Sequence, residues 1–238
     1  MLGDGPFRCL VLWDIDGTLV DGARLGRASF VEAFEVVTGR APPKPVSLAG
    51  RTDLEIARDM LGTAGIAATA DLLNSFGDAL RSAFAARAEL LRERGRAYPG
   101  AGEAIARLER QPGVLQSLLT GNIEPNAEVK LGTFGLDRHL DFEIGAYGSD
   151  HHMRGELVAI ARRKAEDKYR LKIEASQVVL IGDTPLDIAA AREGGARAVA
   201  VATGPFDQAA LTDAGADAVL ADLSDADSVV AAILHRGR

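Results

Sequence analysis

The chain has 238 residues, 47% of them hydrophobic, enough to bury one substantial core and a smaller satellite domain. Its 27 basic and 34 acidic residues give a net charge of -7 with no long run of either sign, which argues against a nucleic-acid partner. A single cysteine, Cys9, leaves no internal disulfide, and neither a leader-like start over Met1–Arg8 nor an apolar window of about 18 residues is found, so a soluble cytoplasmic protein with no membrane partner is expected.

In chain order, the first apolar run, Cys9–Trp13, reads as a strand that ends abruptly in Asp14-Ile15-Asp16-Gly17-Thr18. From about Val20 to Ala97 the pattern is helical only, at Ala28–Val37, at Leu54–Leu61 and along an Ala/Leu/Arg-rich stretch from Asp71 to Arg94. Pro42, Pro43 and Pro45 mark a helix-to-helix loop within it. A βα connection in a compact domain is short, so roughly 75 residues of helix must form a layer of their own. The expected division is a core of residues 1–19 and 97–238 with a helical cap over residues 20–96, and Tyr98-Pro99-Gly100 marks the return to the core.

Beyond the insert, helices are predicted at Ala101–Arg110, Glu156–Lys168 and Leu186–Glu193. Strands are predicted at Val114–Leu119, Val178–Ile181 and Ala198–Val201, with weaker candidates at Phe142–Gly145 and Ala218–Leu220. Near-continuous apolar strands alternating with helices predict a parallel sheet covered on both faces, a doubly wound α/β fold.

In such a sheet ligands bind in the crevice outside the C-terminal strand ends. Asp14 and Asp16 would stand there, joined by Thr120-Gly121-Asn122, by Asp183-Thr184 and by Asp187 one helical turn further. Clustered carboxylates repel one another and a phosphate alike, so a cation must offset them. Mg²⁺ suits Asp14, Asp183 and a backbone carbonyl, and the metal-binding group is expected to be Asp14, Asp16 and Asp183. The side chain of Asp16, two residues on, is expected to turn away from the ion and be free to carry a proton. Gly17 lets the chain leave the strand at an unusual angle, and Thr18 can cap the turn.

The motifs D-I-D-G-T-L, L-T-G-N and G-D-T-P-L-D, in this order and at this spacing, resemble motifs one, two and four of the haloacid dehalogenase superfamily, and the helical insert is similar to the cap of its phosphoglycolate phosphatase-like branch. The resemblance implies a Mg²⁺-dependent phosphatase in which Asp14 attacks phosphorus to form an aspartyl-phosphate while Asp16 protonates the departing alcohol and then activates water. It implies that Thr120, Gly121 and Asn122 bind phosphate, and that Thr18 and Asp187 support the metal site from behind. The family's third motif is a lysine, often in Lys-Pro; no Lys-Pro occurs here, and Arg154 is the candidate in its place, with Lys164 and Lys168 further along the same helix on an expected solvated face. The expected partner is a small phosphorylated metabolite, phosphoglycolate first by branch resemblance. The alternatives are a sugar-phosphate mutase of the beta-phosphoglucomutase type and a catalytically idle binding protein on the same fold. Oligomeric state is not legible.

Other signals weigh less. A calcium loop is disfavoured because, counting Asp14 as the first position, Gly17 stands fourth where an EF-hand needs glycine sixth. His151-His152 reads as loop, since adjacent histidines diverge in an extended segment. Arg51 and Thr52 stand either at an ordinary helix start or facing the active site, where they would select the substrate.

Overall fold

A computed structural model describes residues 6–45 and 47–234, so the first five residues of the start read for a leader, and the outermost ends of the expected core, lie outside the described residues. Strand β1 (Cys9–Trp13) is followed by a two-residue strand β2 (Val20–Asp21), helices α1 (Leu25–Thr38), α2 (Asp53–Thr63), α3 (Ala70–Ala85) and α4 (Ala88–Arg94), and a second short strand β3 (Arg96–Ala97). Then come α5 (Ala101–Glu109), β4 (Val114–Leu118), α6 (Glu124–Thr133), α7 (Arg154–Tyr169), β5 (Val178–Gly182), α8 (Pro185–Glu193), β6 (Arg197–Val201), α9 (Gln208–Asp213), β7 (Ala218–Leu220) and α10 (Ala226–Leu234).

The five longer strands form one parallel sheet in the order β4-β1-β5-β6-β7. All five residues of β1 are buried, which is why its sequence is apolar throughout instead of alternating. Its side chains still alternate between faces. Val11 and Trp13 pack with Ile105 of α5, Leu131 of α6 and Val229 of α10, whereas Leu10 and Leu12 pack with Leu157 of α7 and Ile188 of α8. Helices therefore cover both faces.

Helices α1 to α4 lie between β2 and β3, which pair antiparallel as Val20 with Ala97 and Asp21 with Arg96. This insert has its own apolar cluster, with Phe30, Ala33 and Phe34 on one face of α1 meeting Ile56 and Met60 of α2 and Leu73, Phe76 and Leu80 of α3. The three- and four-residue spacings place each set on a single helix face.

Three elements differ from the sequence expectation. The stretch Phe142–Gly145, read as a weak strand, forms a single 3₁₀ turn over Phe142–Ile144 because the Asp141 carboxylate accepts from the Glu143 amide and starts a turn instead. The helix expected along Asp71–Arg94 breaks between Ala85 and Ala88, where Arg87 folds back to donate from Nη1 to the Ala83 carbonyl (2.6 Å) and from Nη2 to Glu32 (2.6 Å). Helix α6 was not legible at all: its buried face holds Asn126 and Lys130 beside Ala127 and Leu131, so half the apolar period is polar.

Candidate active site

Three strand ends converge. The Asp14 amide donates to the Ile181 carbonyl (2.8 Å), so the ladder between β1 and β5 continues one residue beyond Trp13 and fixes Asp14 where the sheet ends. The chain then turns back, with Gly17 at φ 87°, and the Thr18, Leu19 and Val20 amides all donate to the Ile15 carbonyl. Glycine is required at 17 twice over: a β-carbon would also lie 2.2 Å from Asp183 Oδ2. Thr18 donates to Asp183 Oδ1 (3.2 Å), which ties the first strand end to the third.

Asp14, Asp183 and Asp187 are all buried, and each offers an oxygen within 4.8 Å of the others. Asp187 is held by a capping box at the start of α8, accepting the Thr184 amide (3.0 Å) while Thr184 Oγ1 accepts the Asp187 amide (3.3 Å). Arg154, at the start of α7, donates from Nη2 to Asp14 Oδ1 (2.8 Å) and to Asp187 Oδ1. Its Nε is buried and has no partner among the described residues, so the guanidinium keeps a free donor.

Burial pushes the carboxyls of Asp14 and Asp183 well above the usual carboxylate range. For Asp14 the Arg154 charge works against this; for Asp183 repulsion from Asp14 and Asp187 adds to it. Three carboxylates facing one guanidinium leave two negative charges without compensation in a buried place, and hard oxygen donors so arranged fit a divalent cation such as Mg²⁺.

Asp16 is oriented apart from the three clustered carboxylates. Its carboxylate turns from Asp14 and Asp183 towards Lys130 of α6, whose Nζ donates to both carboxylate oxygens (2.7 and 2.5 Å), and towards Asn122 Nδ2 (2.8 Å). Residues two apart in an extended chain would share a face; the turn that begins at Ile15 separates the two carboxylates. Asn122 also donates to Thr120 Oγ1 (2.7 Å) and accepts from Lys130 (2.6 Å), so Thr120, Asn122, Lys130 and Asp16 form one network. Lys130 is buried, with its ammonium 5.2 Å from the centre of the Phe84 ring.

Lys164 pairs with Asp150, and Lys168 with Asp141 and Glu143, so both are spent away from the acidic cluster. Arg51 lines the cavity but its guanidinium is held by Glu55 (2.7 Å) and Asp59 (3.2 Å). Thr52 caps α2, accepting the Glu55 amide, and donates to the His152 carbonyl (2.7 Å). His151 and His152 lie in the loop before α7, where the His151 ring contacts the Met153 backbone.

Two residues of the site carry no motif in the sequence. Lys130 stands 114 residues from Asp16, and the one available signal was a lone lysine in register with Asn126, Ala127 and Leu131. Asp53, buried at the start of α2, accepts the Ile123 amide (2.8 Å), and its burial raises its carboxyl to about 7. Core and insert together line an open cavity of about 840 Å³, to which the core contributes Asp14, Asp16 and Asp183 and the insert Phe30, Ile56 and Phe84. No helix among the described residues is long and apolar enough to cross a membrane.

A family model described as haloacid dehalogenase-like hydrolase matches residues 11–192. Among solved structures, the chain is similar to a hydrolase from Pseudomonas syringae (21% identity, 95% of this chain and 100% of that one, TM-score 0.70). It is also similar to a predicted phosphatase from Clostridium acetobutylicum (18%, 94% and 99%, 0.68) and to a predicted phosphoglycolate phosphatase from Haemophilus somnus (20%, 96% and 100%, 0.63). At these identities the likeness speaks for the fold. No curated protein matches the chain.

Proposed function

The chain belongs to the haloacid dehalogenase-like hydrolase family, and from that premise we propose that it is a Mg²⁺-dependent phosphatase of a small phosphomonoester, with the helical insert acting as a cap over the site. The observation that carries the reading is the buried group of Asp14, Asp183 and Asp187 at the strand ends, left two charges short of balance by Arg154 alone. Asp14 and Asp183, with Asp187 alongside, would hold the ion, whose charge neutralises phosphate oxygens beside the carboxylates.

The chain's own residues divide the work. An Asp14 carboxylate oxygen attacks phosphorus, and the bond from phosphorus to the alcohol oxygen breaks. The departing oxygen takes a proton from the pair formed by Asp16 and Lys130. In the second half a water oxygen attacks the same phosphorus, its proton returns to that pair, and inorganic phosphate leaves as Asp14 regains its carboxylate. Thr120, the Gly121 amide and Arg154, which retains a buried donor, orient the phosphate oxygens.

Likeness to the predicted phosphoglycolate phosphatase supports phosphoglycolate as one substrate to try. The cavity of about 840 Å³ is nevertheless in the range that holds drug-sized ligands, far more room than a two-carbon acid fills. The test is phosphate release from p-nitrophenyl phosphate and a panel of phosphorylated metabolites, with Mg²⁺ and with chelator. Metal-dependent release is expected. Silence across the whole panel would overturn the proposal, and isomerisation of a sugar phosphate without net release would make the enzyme a mutase.

A further inference from the structure

Besides the packing of α3 and α4 on α6, the insert meets the core through a short segment, Gly50–Asp53, and that segment touches three of the loops that carry candidate site residues. The Asp53 amide donates to the Gly121 carbonyl (2.7 Å), and the Asp53 carboxylate accepts the Ile123 amide (2.8 Å), so two bonds bracket Asn122 from either side. Thr52 Oγ1 donates to the His152 carbonyl, two residues before Arg154. A β-carbon on Gly50 would lie 2.7 Å from Thr184 Oγ1, the cap of the helix that carries Asp187.

The approach depends on glycine on the core side as well. A β-carbon at Gly121 would fall 2.0 Å from the Arg51 carbonyl oxygen, and one at Gly148 would fall 1.9 Å from the Gly121 carbonyl oxygen and 3.0 Å from the Asp53 amide. Backbone against backbone at this distance leaves no room for a side chain. The contact is therefore specified from both partners.

We propose that Asp53 is a positioning residue: by clasping the Gly121 and Ile123 peptide units it sets the conformation of the Thr120–Asn122 loop, and through the Asn122 side-chain carboxamide the place of Asp16. The proposal rests on the reading of that loop as the phosphate-binding element. It makes the docked insert part of the site's geometry as well as its cover. Burying a carboxylate at this seam is costly unless it is bonded, and here its oxygen takes an amide proton from the core chain.

The test compares Asp53→Ala with Asp53→Asn, whose carboxamide oxygen can still accept the Ile123 amide. For Asp53→Ala we expect the inhibition constant of inorganic phosphate and the KM for p-nitrophenyl phosphate to rise by about 10-fold or more and kcat to fall, as misplacement of a binding loop by a fraction of an ångström does. Asp53→Asn should stay within about 3-fold of the wild type. Amide hydrogen exchange at Ile123 should quicken in the alanine variant and stay slow in the asparagine variant. Unchanged phosphate inhibition and exchange in Asp53→Ala would overturn the proposal, as would an asparagine variant as impaired as the alanine one. The exchange measurement needs no turnover, so a wild-type protein that released no phosphate from any ester would overturn the proposed function and leave this test standing.

Discussion

The sheet and the helical insert meet the cavity in opposite ways. From the sheet come side chains whose backbone is locked by the parallel ladder: Asp14 after β1, Thr120 after β4 and Asp183 after β5 each follow a buried strand. The insert is held by an apolar cluster built on Phe30, Phe34, Met60 and Phe76, packs Phe84 and Leu91 towards α6, and presents to the strand-end loops backbone, Thr52 and Asp53. On the proposed function, the difference teaches that the chemistry rests on residues placed by the sheet and its flanking helices, whereas the Gly50–Asp53 segment of the insert acts by its fit against loops that the sheet has already placed.

The strongest way to break that comparison is at Asp14. Exchange of Asp14 for Asn keeps the shape and removes the attacking carboxylate, so turnover should fall by about 10⁴-fold or more with the thermal midpoint at or above that of the wild type, since a buried charge is lost. A variant that kept substantial activity would move the nucleophile elsewhere, and the division of labour with it.

Lys130 tests the same side of the comparison at smaller cost. Lys130→Met retains the length of the side chain but takes the partner from both Asp16 oxygens and from Asn122 Oδ1. We expect kcat to drop by about 100-fold with KM little changed, the usual scale for a proton-transfer group. Equal loss in kcat and affinity would instead mark Lys130 as a phosphate ligand.

These two residues also show what was legible in advance. The apolar runs of β1, β4, β5 and β6 and the acidic or hydroxyl residues that end them are local signals, and the alternation of strands and helices follows from them. Lys130 and Asp53 become site residues only through contacts 114 and 70 residues away in the chain. Lys130 hid further because it and Asn126 occupy the buried face of α6, so the helix lacks the apolar period by which helices are recognised.

The charge imbalance predicts a dependence on pH and metal together. The Asp14 carboxyl is raised from 3.8 to about 7 and that of Asp183 from 3.8 to about 9, chiefly by burial. Between about pH 4 and pH 9 the metal-free folded protein thus binds more protons than the unfolded chain, and its stability falls as pH rises through that window, by an order of a few kcal/mol. In chelator the thermal midpoint should be lower at about pH 8 than at about pH 5, and saturating Mg²⁺ should raise it more at the higher pH. An equal Mg²⁺ shift at both pH values would mean that the ion does not replace those protons.

The smallest expected effect lies at Arg51, the one cation of the Gly50–Asp53 segment. Its guanidinium is engaged by Glu55 and Asp59, both in the first two turns of α2 and about half exposed, an arrangement that contributes about 0–1 kcal/mol. With its donors so committed, Arg51→Ala should leave stability within about 1 kcal/mol of the wild type and change KM by less than about 3-fold, for p-nitrophenyl phosphate and for esters with a second anionic group alike. A rise of about 10-fold in KM for the doubly anionic esters alone would show that substrate draws Arg51 away from Glu55 and Asp59. The insert would then select by charge as well as by fit, and the contrast with the sheet would narrow from chemistry against shape to two charged surfaces sharing one substrate.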